Sequence, residues 1–216
     1  MRATCLAVCG LGAVFAVVGV AAPPSGTVEG IVKLEAAKPA RVVTYGVRTK
    51  NPVLPPEDPR AIVYLERGDG HYPPAESNAV DITQRGYQFR PAMIALRVGG
   101  QVAFPNRDDE FHSVFSYSSP KRFDLGRFRK DEPSPPIAFD EPGVVKVYCE
   151  IHKHMRALLL VLETPWYTIT DPSGHFVLAD VPTGDYRVKA FLPNEKTLET
   201  NVTVTGGEAV EIELGR

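Results

Sequence analysis

Seven consecutive residues carry most of the chemistry open to this chain. In Cys149-Glu150-Ile151-His152-Lys153-His154-Met155 a thiol, two imidazoles and a thioether fall within the length of one loop. A further histidine, His112, stands upstream in Asp109-Glu110-Phe111-His112-Ser113-Val114-Phe115. One thiolate, two imidazoles and a weak thioether contact make a trigonal site that suits copper. The thiolate supplies a covalent, electronically coupled bond. Imidazole serves Cu(II) and Cu(I) alike. The thioether favours Cu(I) and so helps to set the potential. Cys149 alone reads as a buried structural thiol, and Met155 alone as core. His152, His154 and Met155 beside Cys149 shift the reading to metal ligation.

The elements around these residues must hold them at one place. The alternating run Val144 to Tyr148 precedes the loop and the apolar run Ala157 to Leu162 follows it, so the loop joins two strands. His112 also falls at a strand end. Elsewhere strand-like runs recur: Thr27 to Leu34, Ala61 to Leu65, Val80 to Thr83, Ala92 to Val98, Gln101 to Phe104 and Ser113 to Tyr117. Lys50 to Arg60, Gly68 to Ala75 and the polar stretch Ser118 to Pro136 read as loops. Beyond Pro165 come Thr168 to Thr170, His175 to Leu178, Tyr186 to Phe191, Asn201 to Val204 and Ala209 to Leu214, with Gly-containing turns between them. The chain has 20 Pro and 18 Gly in 216 residues, which disfavours a helical bundle. The spacing predicts an all-β chain of sandwich type.

Composition narrows the function. Hydrophobic residues make up 44% and the net charge is −2; a packed core follows, and a basic nucleic-acid footprint does not. No Gly-rich phosphate loop, GxSxG or HExxH motif occurs, and one copper centre lacks the further His pairs of an oxygen-reducing site, so an enzyme is not expected. Residues 1–22 read as a secretory signal peptide: Arg2, an apolar run from Cys5 to Val20, then Ala21 and Ala22. The run is short for a membrane span. Cleavage there removes Cys5 and Cys9 and leaves Cys149 as a single thiol, with no internal disulfide possible. The expected location is the periplasm or another exported site. The cluster Lys121, Arg122, Arg127, Arg129 and Lys130 reads first as a solvated face, and second as a dock for an acidic partner.

The run from Phe89 to Asp108, containing Val98-Gly99-Gly100-Gln101-Val102 and Asn106-Arg107-Asp108, together with Phe139-Asp140-Glu141-Pro142-Gly143 leading to Cys-x-x-His-x-x-Met, resembles the cupredoxins. The nearest likeness is to the amicyanin and plastocyanin-like group and to methylamine-utilisation-type proteins, over about residues 79–163. The resemblance implies a Greek-key cupredoxin β-sandwich with one mononuclear type 1 copper, held by His112, Cys149, His152 and Met155. It also implies outer-sphere electron transfer with a redox partner such as a c-type cytochrome or a dehydrogenase. The sequence departs from the pattern at Ser113, where many members carry an Asn that clasps the ligand loop. His154 is a second imidazole able to compete with His152.

Thr170-Asp171-Pro172-Ser173-Gly174-His175-Phe176-Val177-Leu178 and Val181-Pro182-Thr183-Gly184-Asp185-Tyr186-Arg187-Val188 resemble carboxypeptidase regulatory-like modules, which are small transthyretin-like β-sandwiches without catalysis of their own. The expected division is 1–22 signal peptide, 27–78 N-terminal strands, 79–163 copper unit and 164–216 regulatory-like sandwich. Residues 27–66 are expected to pair with 164–216, with the copper unit inserted between them. Two other functions are open: a periplasmic copper carrier without electron transfer, and a metal-free envelope interaction module.

Overall fold

The computed structural model describes residues 24–35, 53–75 and 78–215. The expected signal segment and the first part of the Lys50 to Arg60 loop lie outside the described residues. The described residues are all-β, with no helix among them and therefore none long and apolar enough to cross a membrane.

The first two strands, β1 (Ser25–Val32) and β2 (Ile62–Arg67), precede ten that form one sandwich. These are β3 (Ala79–Asp81), β4 (Thr83–Gln84), β5 (Phe89–Arg90), β6 (Met93–Arg97), β7 (Gly100–Ala103), β8 (His112–Ser118), β9 (Lys121–Phe128), β10 (Ile137–Phe139), β11 (Gly143–Tyr148) and β12 (Arg156–Leu162). A five-stranded sheet in the order β6-β12-β11-β8-β9 faces a three-stranded sheet β10-β7-β3, and β4-β5 form a small hairpin. Between them lies a core of aromatic and branched side chains including Phe89, Leu96, Phe104, Val114, Phe139, Val147 and Leu159; Cys149 and Met155 belong to it.

The last five strands are β13 (Tyr167–Ile169), β14 (His175–Pro182), β15 (Gly184–Phe191), β16 (Thr197–Val204) and β17 (Ala209–Leu214). They assemble with the first two. One sheet runs β14-β1-β17 and the other β13-β2-β15-β16. β1 is parallel to β17, from Thr27 opposite Ala209 to Val32 opposite Leu214. β2 is antiparallel to β15. This second sandwich has its own core around Val28, Val63, Phe176, Val188 and Val204.

The sandwiches meet through β12. Ala157, Leu159 and Val161 point into the first core. Leu160 and Leu162, with Leu158 packed beside them, point the other way, onto Ile62, Tyr64 and Phe191 of the second sandwich. A strand buried on both faces has no polar alternation to show, which is why Ala157 to Leu162 is apolar throughout. Lys146 and Glu195 form an ion pair of 2.6 Å across the same boundary.

The stretch Ser118 to Pro136, expected to be loop, contains β9. It pairs antiparallel with β8, Ser118 opposite Lys121 and His112 opposite Phe128. Exposed edge strands commonly carry charges that discourage further pairing, and here Arg122, Asp124 and Arg127 hide the alternation of the more buried Phe123 and Leu125.

Candidate metal centre

His112, Cys149 and His152 come together where β8 begins and β11 ends. Cys149 follows the last residue of β11, His112 opens β8, and Met155 precedes β12. One ligand atom each from His112, Cys149 and His152 lies within 4.8 Å of the others. His112 Nδ1 and His152 Nδ1 are 3.0 Å apart, and Cys149 Sγ is 3.8 Å from His152 Nδ1. Metal–nitrogen bonds of about 2.0–2.1 Å fit nitrogens at this separation, and a thiolate with two imidazoles is a donor set that copper and zinc both accept.

Met155 is almost fully buried in the core beside Cys149. Its N–H donates to the His152 carbonyl at 2.8 Å, and its carbonyl accepts from Cys149 N–H at 3.3 Å. These bonds close the loop into a tight turn, with the His152 N–H 3.4 Å from Cys149 Sγ.

His112 is completely buried, and its outer nitrogen Nε2 meets Asp108 Oδ2 at 2.9 Å. A proton on Nε2 shared with that carboxylate leaves the Nδ1 lone pair facing Cys149 and His152. Asp108 is itself held by the N–H groups of Gly86 (to Oδ1, 2.7 Å) and Tyr87 (to Oδ2, 2.9 Å). Asn106 fixes the same segment: its Oδ1 accepts from Asp108 N–H, and its Nδ2 donates to the Glu110 and Phe128 carbonyls.

Ser113 reaches the ligand loop in spite of its short side chain. Its Oγ accepts from Glu150 N–H at 2.7 Å and lies 3.9 Å from Cys149 Sγ.

The electrostatics favour a thiolate. Burial pushes the Cys149 thiol up, but the His112 and His152 imidazoles and neighbouring N–H groups outweigh it and bring its pKa to about 5. Burial pulls His112 down, while Asp108 and Cys149 pull it up more strongly, for a net rise. Metal ligands must shed their protons, and a thiol already inclined to ionise has less to shed.

His154 stands outside the three-atom cluster. Its Nε2 donates to the Tyr87 carbonyl at 3.0 Å, and its ring centroid is 6.2 Å from that of His152. The basic residues of the charged cluster are mostly engaged: Lys121 with Asp140, Arg127 with Glu150, Lys130 with Asp109, and Arg129 over the Phe111 ring at 5.2 Å. Exposed pairs of this kind contribute little to stability. His71 and His175 are exposed.

Asp108 enters the sequence reading only within Asn106-Arg107-Asp108, with no role of its own, and Tyr87 does not enter it. Asp108 sits in the charged run Arg107-Asp108-Asp109-Glu110, where only its four-residue spacing from His112 hints at a partner.

No protein-family model matches this chain, and no curated protein matches it. Solved structures do. A methionine-to-alanine mutant of amicyanin, Cu(I), matches at 18% identity and TM-score 0.36, covering 39% of this chain and 82% of that one. A proline-to-glycine mutant of amicyanin in its reduced Cu(I) form at pH 4 matches at 21% and 0.35, covering 41% and 85%. The copper-containing nitrite reductase from Thermus scotoductus SA-01 matches at 23% and 0.36, covering 46% of this chain and 25% of that one. These three matches span less than half of this chain.

Proposed function

We propose that this protein is an exported cupredoxin that binds one type 1 copper through His112, Cys149, His152 and Met155 and carries single electrons. The observation that carries the reading is the convergence of two imidazole Nδ1 atoms and one ionisation-prone thiol at the end of a β-sandwich. Copper, when bound, supplies a one-electron couple. The protein's part is to hold the donors. Asp108 orients His112, Ser113 and the Met155 turn clasp Cys149, and the core of the sandwich excludes water from all but His152.

His152 is half-buried, with Phe111 and Ile151 exposed nearby at 44% and 41%. An imidazole edge reaching solvent amid apolar side chains suits brief contact with a redox protein, such as a c-type cytochrome or a dehydrogenase. The second sandwich, read as a regulatory-like module, buries the outer face of β12. The protein acts as a carrier in this reading, not as an enzyme. Residues 1–22 direct it out of the cytoplasm.

The test is the visible spectrum after addition of Cu(II), with Cys149→Ser alongside. An intense thiolate-to-copper band that a reductant bleaches and the substitution abolishes is expected. Tight Cu(I) binding with no coloured Cu(II) form would instead make the protein a copper carrier. Absence of binding would leave a metal-free interaction module.

A further inference from the structure

The hairpin between β4 and β5 turns through Gly86 and Tyr87. Arg85 N–H donates to the Gln88 carbonyl at 2.9 Å across it. Both central residues are left-handed, with φ of +61° and +60°. Turns of this kind ordinarily place Gly, Asn or Asp at such positions. Gly86 conforms, and a Cβ there would stand 2.3 Å from Leu54 Cγ. Tyr87 does not conform: a bulky aromatic in this region is an outlier that its surroundings must hold in place.

Those surroundings are the metal centre, approached from two sides. Tyr87 N–H donates to Asp108 Oδ2, the same oxygen that meets His112 Nε2. Its carbonyl accepts from His154 in the ligand loop. Its ring, 4% exposed, lies edge-on to His112 at 5.9 Å and to His152 at 5.0 Å between centroids. Residues 108–112 and 152–154 supply different donors from distant parts of the chain, and this one residue touches both.

We propose that Tyr87 is a positioning residue, a strap that sets the two imidazoles in their converging orientation before a metal arrives. It rests on the metal-centre reading above. His112 is completely buried, whereas His152 is half-buried, so the core alone does not hold its ring. The Tyr87 ring stands against it, and the bond from His154 keeps the loop close to that ring.

The test compares Cu(I) affinity, by competition with a chromogenic Cu(I) chelator, and the Cu(II) spectrum in wild type, Tyr87→Asn and His154→Ala. Asparagine tolerates the left-handed region and keeps both backbone bonds, so only the ring is lost. Tyr87→Asn is expected to bind Cu(I) about 10–100-fold more weakly and to shift the thiolate-to-copper band. A structural role alone would lower the thermal midpoint of the metal-free protein and leave both readings unchanged. Tyr87→Asn with an affinity within about twofold of wild type and an unshifted band overturns the proposal. If Tyr87→Asn does not fold, His154→Ala decides: an affinity several-fold weaker supports the strap, and wild-type affinity overturns it. Wild-type protein that takes up no copper would instead defeat the metal-centre reading itself.

Discussion

Removing the Asp108 carboxylate would leave three interior donors, His112 Nε2 and the Gly86 and Tyr87 N–H groups, without their acceptor. Each buried donor so stranded costs about 1–3 kcal/mol. Asp108→Ala is therefore expected to destabilise the metal-free protein by at least about 3 kcal/mol, read from denaturant unfolding. The loss should exceed that of Ser113→Ala, which strands the Glu150 N–H and removes one weak contact to Cys149 Sγ, at a cost of about 1 kcal/mol. Equal losses in the two variants would mean that water replaces the carboxylate. The same residues mark how far the site can be read in sequence. Cys149, His152 and Met155 stand close together with His112 at a strand end, and residue type alone raises them as candidates. The parts played by Asp108 and Tyr87 come from backbone conformation and burial, of which the four-residue spacing of Asp108 from His112 is a faint trace and Tyr87 leaves none.

At the scale of the element, β12 and β1 are the most exposed to damage. Leu160→Ala opens a cavity at the boundary between the sandwiches and is expected to cost about 2–5 kcal/mol, measurable as a lowered thermal midpoint. Gly30 lies where β1 passes β17 so closely that a Cβ would stand 1.8 Å from the Ile212 carbonyl oxygen. Gly30→Ala is expected to cost about 3 kcal/mol; a neutral result would show that the two strands can move apart freely. Strands with clean alternation or continuous apolar runs, such as those at Met93–Arg97 and Arg156–Leu162, were legible because burial imposes those patterns. β9 was not. Its pairing with β8 outweighs a local composition of Lys, Arg, Asp and Gly that taken alone favours a loop.

At the scale of the molecule, the sandwiches share β12 and the cluster of Ile62, Tyr64, Leu160, Leu162 and Phe191, so they are expected to unfold together. The chain offers one probe for each half. Its single tryptophan, Trp166, packs edge-on to Tyr72 and Tyr186 in the second sandwich. The thiolate-to-copper band would report the first. Superimposable denaturant curves from the two probes are expected; two separated midpoints would show that the shared strand does not couple the halves.

The pairing of β1 with β17 also bears on the order in which the molecule can be made. Of the described strands β1 is the first to leave the ribosome, and its parallel partner is the last. Every strand that positions His112, Cys149 and His152 has appeared once Leu162 has emerged. The second sandwich lacks its last strand until Leu214 has emerged, and β1 and β2 have no partner until β13, β14 and β15 follow. Contacts so distant in sequence form slowly, so the metal-holding half is the first that can close, and a chain interrupted between Leu162 and Tyr167 would carry a formed site beside two orphaned strands.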